Sequence, residues 1–173
     1  NGATNYIWDN GASNGIAFTP SVSTIYNVTG TDANECSNTA STTITVNPLP
    51  TVTANASTSV LCLNDEVTLT GNGASTYTWD NGATDGVATT PSVPTIYNVT
   101  GTDANECSNT ASTTITVNPL PTVTANASSL ALCLNQEVTL TGNGASTYSW
   151  NNGATDGVAI TPSVSTIYNI TGT

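Results

Sequence analysis

Lysine, arginine and histidine are all absent from the 173 residues, against eleven Asp plus Glu and a formal net charge of −11. No ion pair between side chains can form, so every carboxylate must be solvated, hydrogen-bonded or held by a metal ion. A chain without cationic side chains cannot neutralise phosphates, which argues against nucleic-acid binding through the backbone. Anionic membrane surfaces repel it for the same reason. The commonest general bases and amine nucleophiles are missing, as is the lysine needed for a Lys–Asn isopeptide cross-link. No stretch reaches the roughly 18 consecutive apolar residues of a membrane span, so no membrane insertion is expected. No signal peptide is present either, but an internal fragment would lack one, so that absence carries little weight.

What the chain does have is repetition. Residues 24–57 return letter for letter at 95–128. Trp8, Trp79 and Trp150 are spaced by 71 residues, and so are Cys36 and Cys107, and Cys62 and Cys133. A period of 71 is too long for one coil of a solenoid and suits a small domain that folds alone, though marginally. Asn1 falls at the position of Asn72, and Thr173 at that of Thr102. The expected organisation is a partial unit over 1–47 lacking its first strands, a complete unit over 48–118, and a partial unit over 119–173 lacking its last strand. Either the array is longer, or strands of neighbouring chains complete the terminal units.

Within one unit the apolar residues alternate and show no helical spacing. The segments 51–57, 66–71, 76–80, 86–93, 95–103 and 112–117 all read as strands rich in Val, Thr, Ile and Tyr. They are bounded by Gly, Asn, Asp and Pro clusters. Short antiparallel strands at this spacing predict an all-β sandwich. Alternation turns Val67, Leu69, Tyr77, Trp79, Tyr97, Val99, Ile115 and Val117 inward, leaving Asn98 and Thr100 outward. Trp79 therefore reads as core and not as a sugar-stacking platform. Position 18/89/160, occupied by Phe18, Thr89 and Ile160, reads as a drifting solvated site. The joints "NPLPT" at 47–51 and 118–122 hold two prolines each, which predicts stiff links and a rod-like array. Self-repulsion of the acidic chain also favours extension.

Two cysteines per unit in a small, Thr-rich β chain favour structural disulfides and an oxidising compartment. Two thiols with no histidine do not make a zinc site. The candidates are Cys36, Cys62, Cys107 and Cys133, with the simplest pairing Cys62 to Cys107. The pairs Asp80 with Asp85, and Asp103 with Glu106, offer acid–base chemistry in form only. They sit in turns, where Asp and Asn ordinarily act as turn formers, and no catalytic or cofactor-binding residue is assigned. Calcium is weighed because nothing else neutralises these acids. Asp80 becomes Asn151, Asp85 becomes Asn14 and Asp65 becomes Gln136 in other copies. A required ligand set would not lose charge three times, so calcium stays the weaker alternative and no metal residue is assigned; Asp32, Glu35, Asp103 and Glu106 keep it open. Asn27, Asn55, Asn98, Asn126 and Asn169 head N-x-S/T triplets, which leaves a glycan coat open on an exposed fibre.

The order "CLNDEVTL…YTWDNGATDG…TIYNVTGTDANEC…TTITV" resembles the Ig-like and PKD-like repeats of giant secreted surface proteins, especially those of gliding Bacteroidota. The resemblance covers essentially the whole chain. It implies a seven-stranded sandwich, export to the cell surface, roles in stalks, filaments and adhesion, and no catalytic residues. It also implies that Cys62 and Cys107 lie at opposite ends of one domain. The bond favoured on that topology joins Cys62 to the counterpart of Cys107 one repeat later, beyond Thr173; the intradomain bond is the alternative. Two functional readings follow, both non-enzymatic. One is a structural module of an extracellular fibre, filament or cell-surface stalk that self-associates or continues into an array. The other is an adhesive or carbohydrate-binding surface module.

Overall fold

A computed structural model describes residues 2–173, and all regular structure among them is β. By backbone contacts the chain forms two compact units. The first comprises 1–59, 67–89 and 95–115; the second comprises 60–66, 90–94 and 116–173.

The first unit opens with β1 (Asn5–Trp8), β2 (Thr24–Thr31) and β3 (Ser37–Ile44), an antiparallel sheet in the order β1-β2-β3. Next come β4 (Thr53–Ala56), β5 (Val60–Cys62, part of the second unit), β6 (Val67–Asn72), β7 (Thr76–Trp79) and β8 (Ala88–Thr89). The long strands β9 (Thr95–Thr102) and β10 (Ser108–Asn118) complete the middle copy. β4, β6 and β8 form one antiparallel sheet, while β7 and β10 flank β9 in another. β4 and β6 pack on β9, and alternation sets what lies between them. Val67, Leu69, Val99 and Ile115 are completely or almost completely buried, while Asn98 and Thr100 face solvent. Each buried aliphatic of this size is worth about 1.5–3 kcal/mol. Tyr77 is only half-buried. Its ring lies against the backbone of Gly71, where a Cβ would collide with it. Its hydroxyl accepts from the Ala74 N–H and donates to the Ala74 carbonyl, both at 2.7 Å, giving the polar end its partner.

The second unit takes in the last three residues of β10, which pair in parallel with β5: Thr116 with Val60, Val117 with Leu61, Asn118 with Cys62. It continues with β11 (Thr124–Ala127), β12 (Val138–Asn143), β13 (Tyr148–Trp150), β14 (Ala159–Ile160) and β15 (Ile170–Gly172). β11, β12 and β14 form one antiparallel sheet, and β13 pairs antiparallel with β15. Val138, Leu140 and Trp150 make its core, with Leu132, Ile160, Tyr168 and Ile170 packed against them.

Three local departures from the alternation pattern have physical causes. The segment 86–93 contracts to the two residues of β8, because the turn closed by the Val87 N–H on the Thr84 carbonyl precedes it and Pro91 supplies no N–H to a ladder after it. The short run Val60–Cys62 is a strand of its own, so the leading segment of the middle copy pairs first with β6 and then with β10. Position 18/89/160 is not uniformly solvated. Thr89 pairs opposite Val67 and Ile160 opposite Val138, both half-buried, and Ile160 packs on the core of its copy.

Candidate functional site

The side chains singled out for chemistry are hydrogen-bond acceptors for neutral donors. Asp85 Oδ1 accepts from Trp79 Nε1 at 2.9 Å and from the Gly71 backbone N–H at 2.7 Å. One carboxylate oxygen thereby ties β7 to β6, strands of different sheets. Asp156 repeats the arrangement with Trp150 Nε1 at 2.9 Å and the Gly142 N–H at 2.7 Å. In the first copy Asn14 Oδ1 receives Trp8 Nε1 at 3.4 Å, a longer bond from a less buried ring.

Asp80 is turned the other way, onto β9. Its two oxygens accept from the Asn98 backbone N–H at 2.9 Å and from Asn98 Nδ2 at 2.7 Å. Asp9 does the same to Asn27, at 2.8 Å and 2.7 Å. In both, the Asn side-chain amide first and its backbone N–H second hold the carboxyl below the usual carboxylate range. In the third copy the neutral Asn151 accepts from the Asn169 N–H at 2.8 Å. Asp65 accepts from the Cys62 N–H at 3.2 Å, and Gln136 accepts from the Cys133 N–H at 2.9 Å. At all three positions where charge is lost between copies the amide oxygen still accepts one bond of the acid: Asn14 keeps the Trp donor, Asn151 the backbone N–H of Asn169, and Gln136 the backbone N–H of Cys133.

The acidic turn 103–107 is built the same way. Asp103 Oδ1 accepts from the N–H groups of Asn105 and Cys107 at 2.8 and 2.9 Å, and Asp32 does so for Asn34 and Cys36 at the same distances. This closure places Glu35 and Glu106 in the left-handed region, at φ 65° and 64°. Among the described residues, no three Cys, Asp or Glu side chains gather where they would share a metal ion.

The four cysteines enter this frame through their backbone N–H groups, and their thiols do not. Cys107 immediately precedes β10, whereas Cys62 is paired with Asn118 at the far end of that strand. A strand of that length spans about 35 Å, while a disulfide bridges Cα atoms about 4.4–6.8 Å apart. All four thiols are unbonded within the chain, with Cys36, Cys62 and Cys133 exposed and Cys107 half-buried.

The sequons divide by their surroundings. The amide nitrogens of Asn27 and Asn98 each lie 2.7 Å from a carboxylate oxygen, whereas Asn169 faces the amide of Asn151. Asn55 is exposed on β4, its side chain making long contacts of 3.4 and 3.5 Å to Thr53 and Thr70. Asn126 is exposed on β11. Phe18, about half exposed, meets Tyr26 edge-on with ring centroids 5.1 Å apart; its counterparts Thr89 and Ile160 carry no ring.

The inter-sheet bond of Asp85 escapes a reading by alternation, because the residue lies in a turn and its partners sit on two strands. The signal that finds it is the constant six-residue spacing from each Trp to an acceptor: Trp8 to Asn14, Trp79 to Asp85, Trp150 to Asp156. No protein-family model matches the chain, and a search of curated proteins returns no match.

Proposed function

We propose that this chain is a structural repeat module of an extracellular fibre, filament or cell-surface stalk, joined end to end with units like itself. The observation that carries this reading is that where an acid is exchanged for an amide between copies, the amide oxygen still accepts a bond from the corresponding donor. At those three positions what persists from copy to copy is a scaffold contact, and the charge does not. The identity of 24–57 with 95–128 supports the same reading, since a single site needs its residues once. The resemblance to Ig-like and PKD-like surface repeats supports export.

On this reading the cysteines are joint staples. Cys62, exposed at the Asn118 end of β10, bonds the counterpart of Cys107 in the following unit, and each joint is thereby locked. Electron microscopy of native material tests the proposal, with non-reducing peptide mapping of the same sample. The expected result is a filament whose axial repeat is close to one domain length, with cystine peptides joining successive units. Dispersed single particles, or a Cys62–Cys107 bond within one unit, would overturn it.

A further inference from the structure

The links between copies are held at both ends and free in the middle. In the link 47–51, Pro50 is buried and its carbonyl accepts Asn109 Nδ2 at 3.0 Å, from a side chain 59 residues away. The Thr51 carbonyl lies in the space that a Cβ on Gly73 would fill, and Gly73 holds φ 92°, so room and conformation both call for glycine there. Val52 packs against Gly101 in the same close manner. The third copy repeats two of these contacts, with Thr122 over Gly144 at φ 96° and Val123 against Gly172. From Pro50 onward the link is thus part of the unit that follows it.

The preceding unit holds the other end. The middle copy shows this at 118–122, where the Asn118 carbonyl accepts the Leu63 N–H at 2.8 Å and Asn118 pairs with Cys62. Asn118 is the counterpart of Asn47. Both ends, each read on the middle copy, leave one proline and one leucine between them: Pro48 and Leu49 in the first link, Pro119 and Leu120 in the second. Among the described residues neither pair makes a hydrogen bond, and Leu49 and Leu120 are 63 % and 51 % exposed. The ring fixes φ of Pro48, and Leu49, standing before Pro50, is disfavoured from the α region. What stays soft is ψ of Pro48, with φ and ψ of Leu49 inside the extended region.

We propose that the first link is a hinge confined to Pro48 and Leu49, and that Asn109 is the positioning residue that stops it there. Its amide holds the Pro50 carbonyl on the following unit, and Gly73 gives the Thr51 carbonyl its seat. Without that donor, ψ of Pro50 and the torsions of Thr51 join the moving part. The prolines alone therefore do not set the stiffness of the joint; a residue at the start of β10 does so with them. An array built on such joints bends at fixed points and does not coil as a Gly/Ser linker would.

The test is backbone 15N relaxation of the whole chain in reducing buffer, where no cystine contributes. In the parent chain the Thr51 and Val52 amides should show order parameters of about 0.85, as in rigid backbone, with Leu49 clearly lower. Asn109→Asp keeps the oxygen that accepts the Thr110 N–H at 2.9 Å and removes the donor to Pro50. Thr51 should then fall below about 0.6. Gly73→Ala sets a methyl group where the Thr51 carbonyl lies and should loosen Thr51 by an independent route. Asn38→Asp, which adds the same charge at the opposite end of β3 from the link, should leave Thr51 unmoved. Leu49 as well ordered as Thr51 in the parent chain overturns the hinge. Thr51 unmoved by Asn109→Asp overturns the role of Asn109. The inference rests on the reading of the chain as units joined end to end, but the two fail separately. Filaments from a chain whose Thr51 ignores Asn109 would keep the fibre and overturn the hinge lock; a responsive Thr51 in native material without filaments would do the reverse.

Discussion

The segment 24–57 and its duplicate 95–128 are a controlled comparison, since one sequence is placed in two surroundings. Tyr26 and Tyr97 are both buried, but by different means. Tyr97 lies on β9, against which β4 and β6 pack. The first copy has no strands corresponding to β4 and β6 among its residues, and there the ring of Phe18 meets Tyr26. Val28 is half-buried and Val99 fully buried; Ile44 is on the surface and Ile115 is sealed. The joint differs as well. Pro50 is buried and its carbonyl accepts Asn109 Nδ2 at 3.0 Å, whereas Pro121 is exposed. Alternation decides which side chains share a face. What covers that face is decided by strands far away in the chain.

The largest expected effect that sharpens this contrast is at the isoleucines. Ile115→Ala should destabilise its copy by about 2–5 kcal/mol, the range for a large apolar residue cut down in a closed core. Ile44→Ala, the same change in the same eleven letters, should cost about 1 kcal/mol or less, as most of its transfer gain is unrealised. Native-state hydrogen exchange, read separately on β2 and β9, measures both; equal losses would break the comparison.

A second, smaller contrast concerns the acceptors. Asp85→Ala leaves the Trp79 indole N–H and the Gly71 N–H without a partner in a part-buried place, at about 1–3 kcal/mol. Asn14→Ala removes one long bond from a more exposed ring and should cost under about 1 kcal/mol. Denaturant unfolding of the two variants against the parent chain gives the difference.

The smallest effect is in acid. Asp9 and Asp80 have carboxyls depressed from the ordinary 3.8 by Asn27 and Asn98. A depressed carboxyl contributes stability above its unfolded-state value, and that contribution is lost as pH falls through the folded one. The amide proton shifts of Asn27 and Asn98 should therefore titrate below the ordinary carboxyl value. That of Asn169, bonded to the non-titrating Asn151, should stay flat.

Much of the fold was legible in the residues. The all-β class follows from alternation, and the inward set Val67, Leu69, Trp79, Tyr97, Val99, Ile115 and Val117 is buried as its parity requires. The turns announced by Asn-Gly are made with both residues left-handed, Asn81 at φ 52° and Gly82 at φ 74°. What stayed hidden depends on partners remote in sequence. Val60–Cys62 is too short to alternate visibly, and it becomes a strand only because β10 offers an edge beside it. The length of β8 is limited by the turn before it and by Pro91 after it, and not by side-chain pattern. Asp80, Asp85 and Asp103 look alike as turn acids. One grips a neighbouring strand, one ties two sheets, and one closes its own turn, and only the backbone path separates those roles.

The parallel pairing of β5 with the end of β10 has a mechanical consequence. These are an early strand and the last strand of the middle copy, running in the same direction. Tension applied through the joints at either side pulls β5 backward and β10 forward, so the two slide against each other. Their rungs at Val60, Leu61 and Cys62 are then loaded together in shear, and none can be peeled open before the rest. Had the two strands been antiparallel, the same pull would have unzipped them one rung at a time.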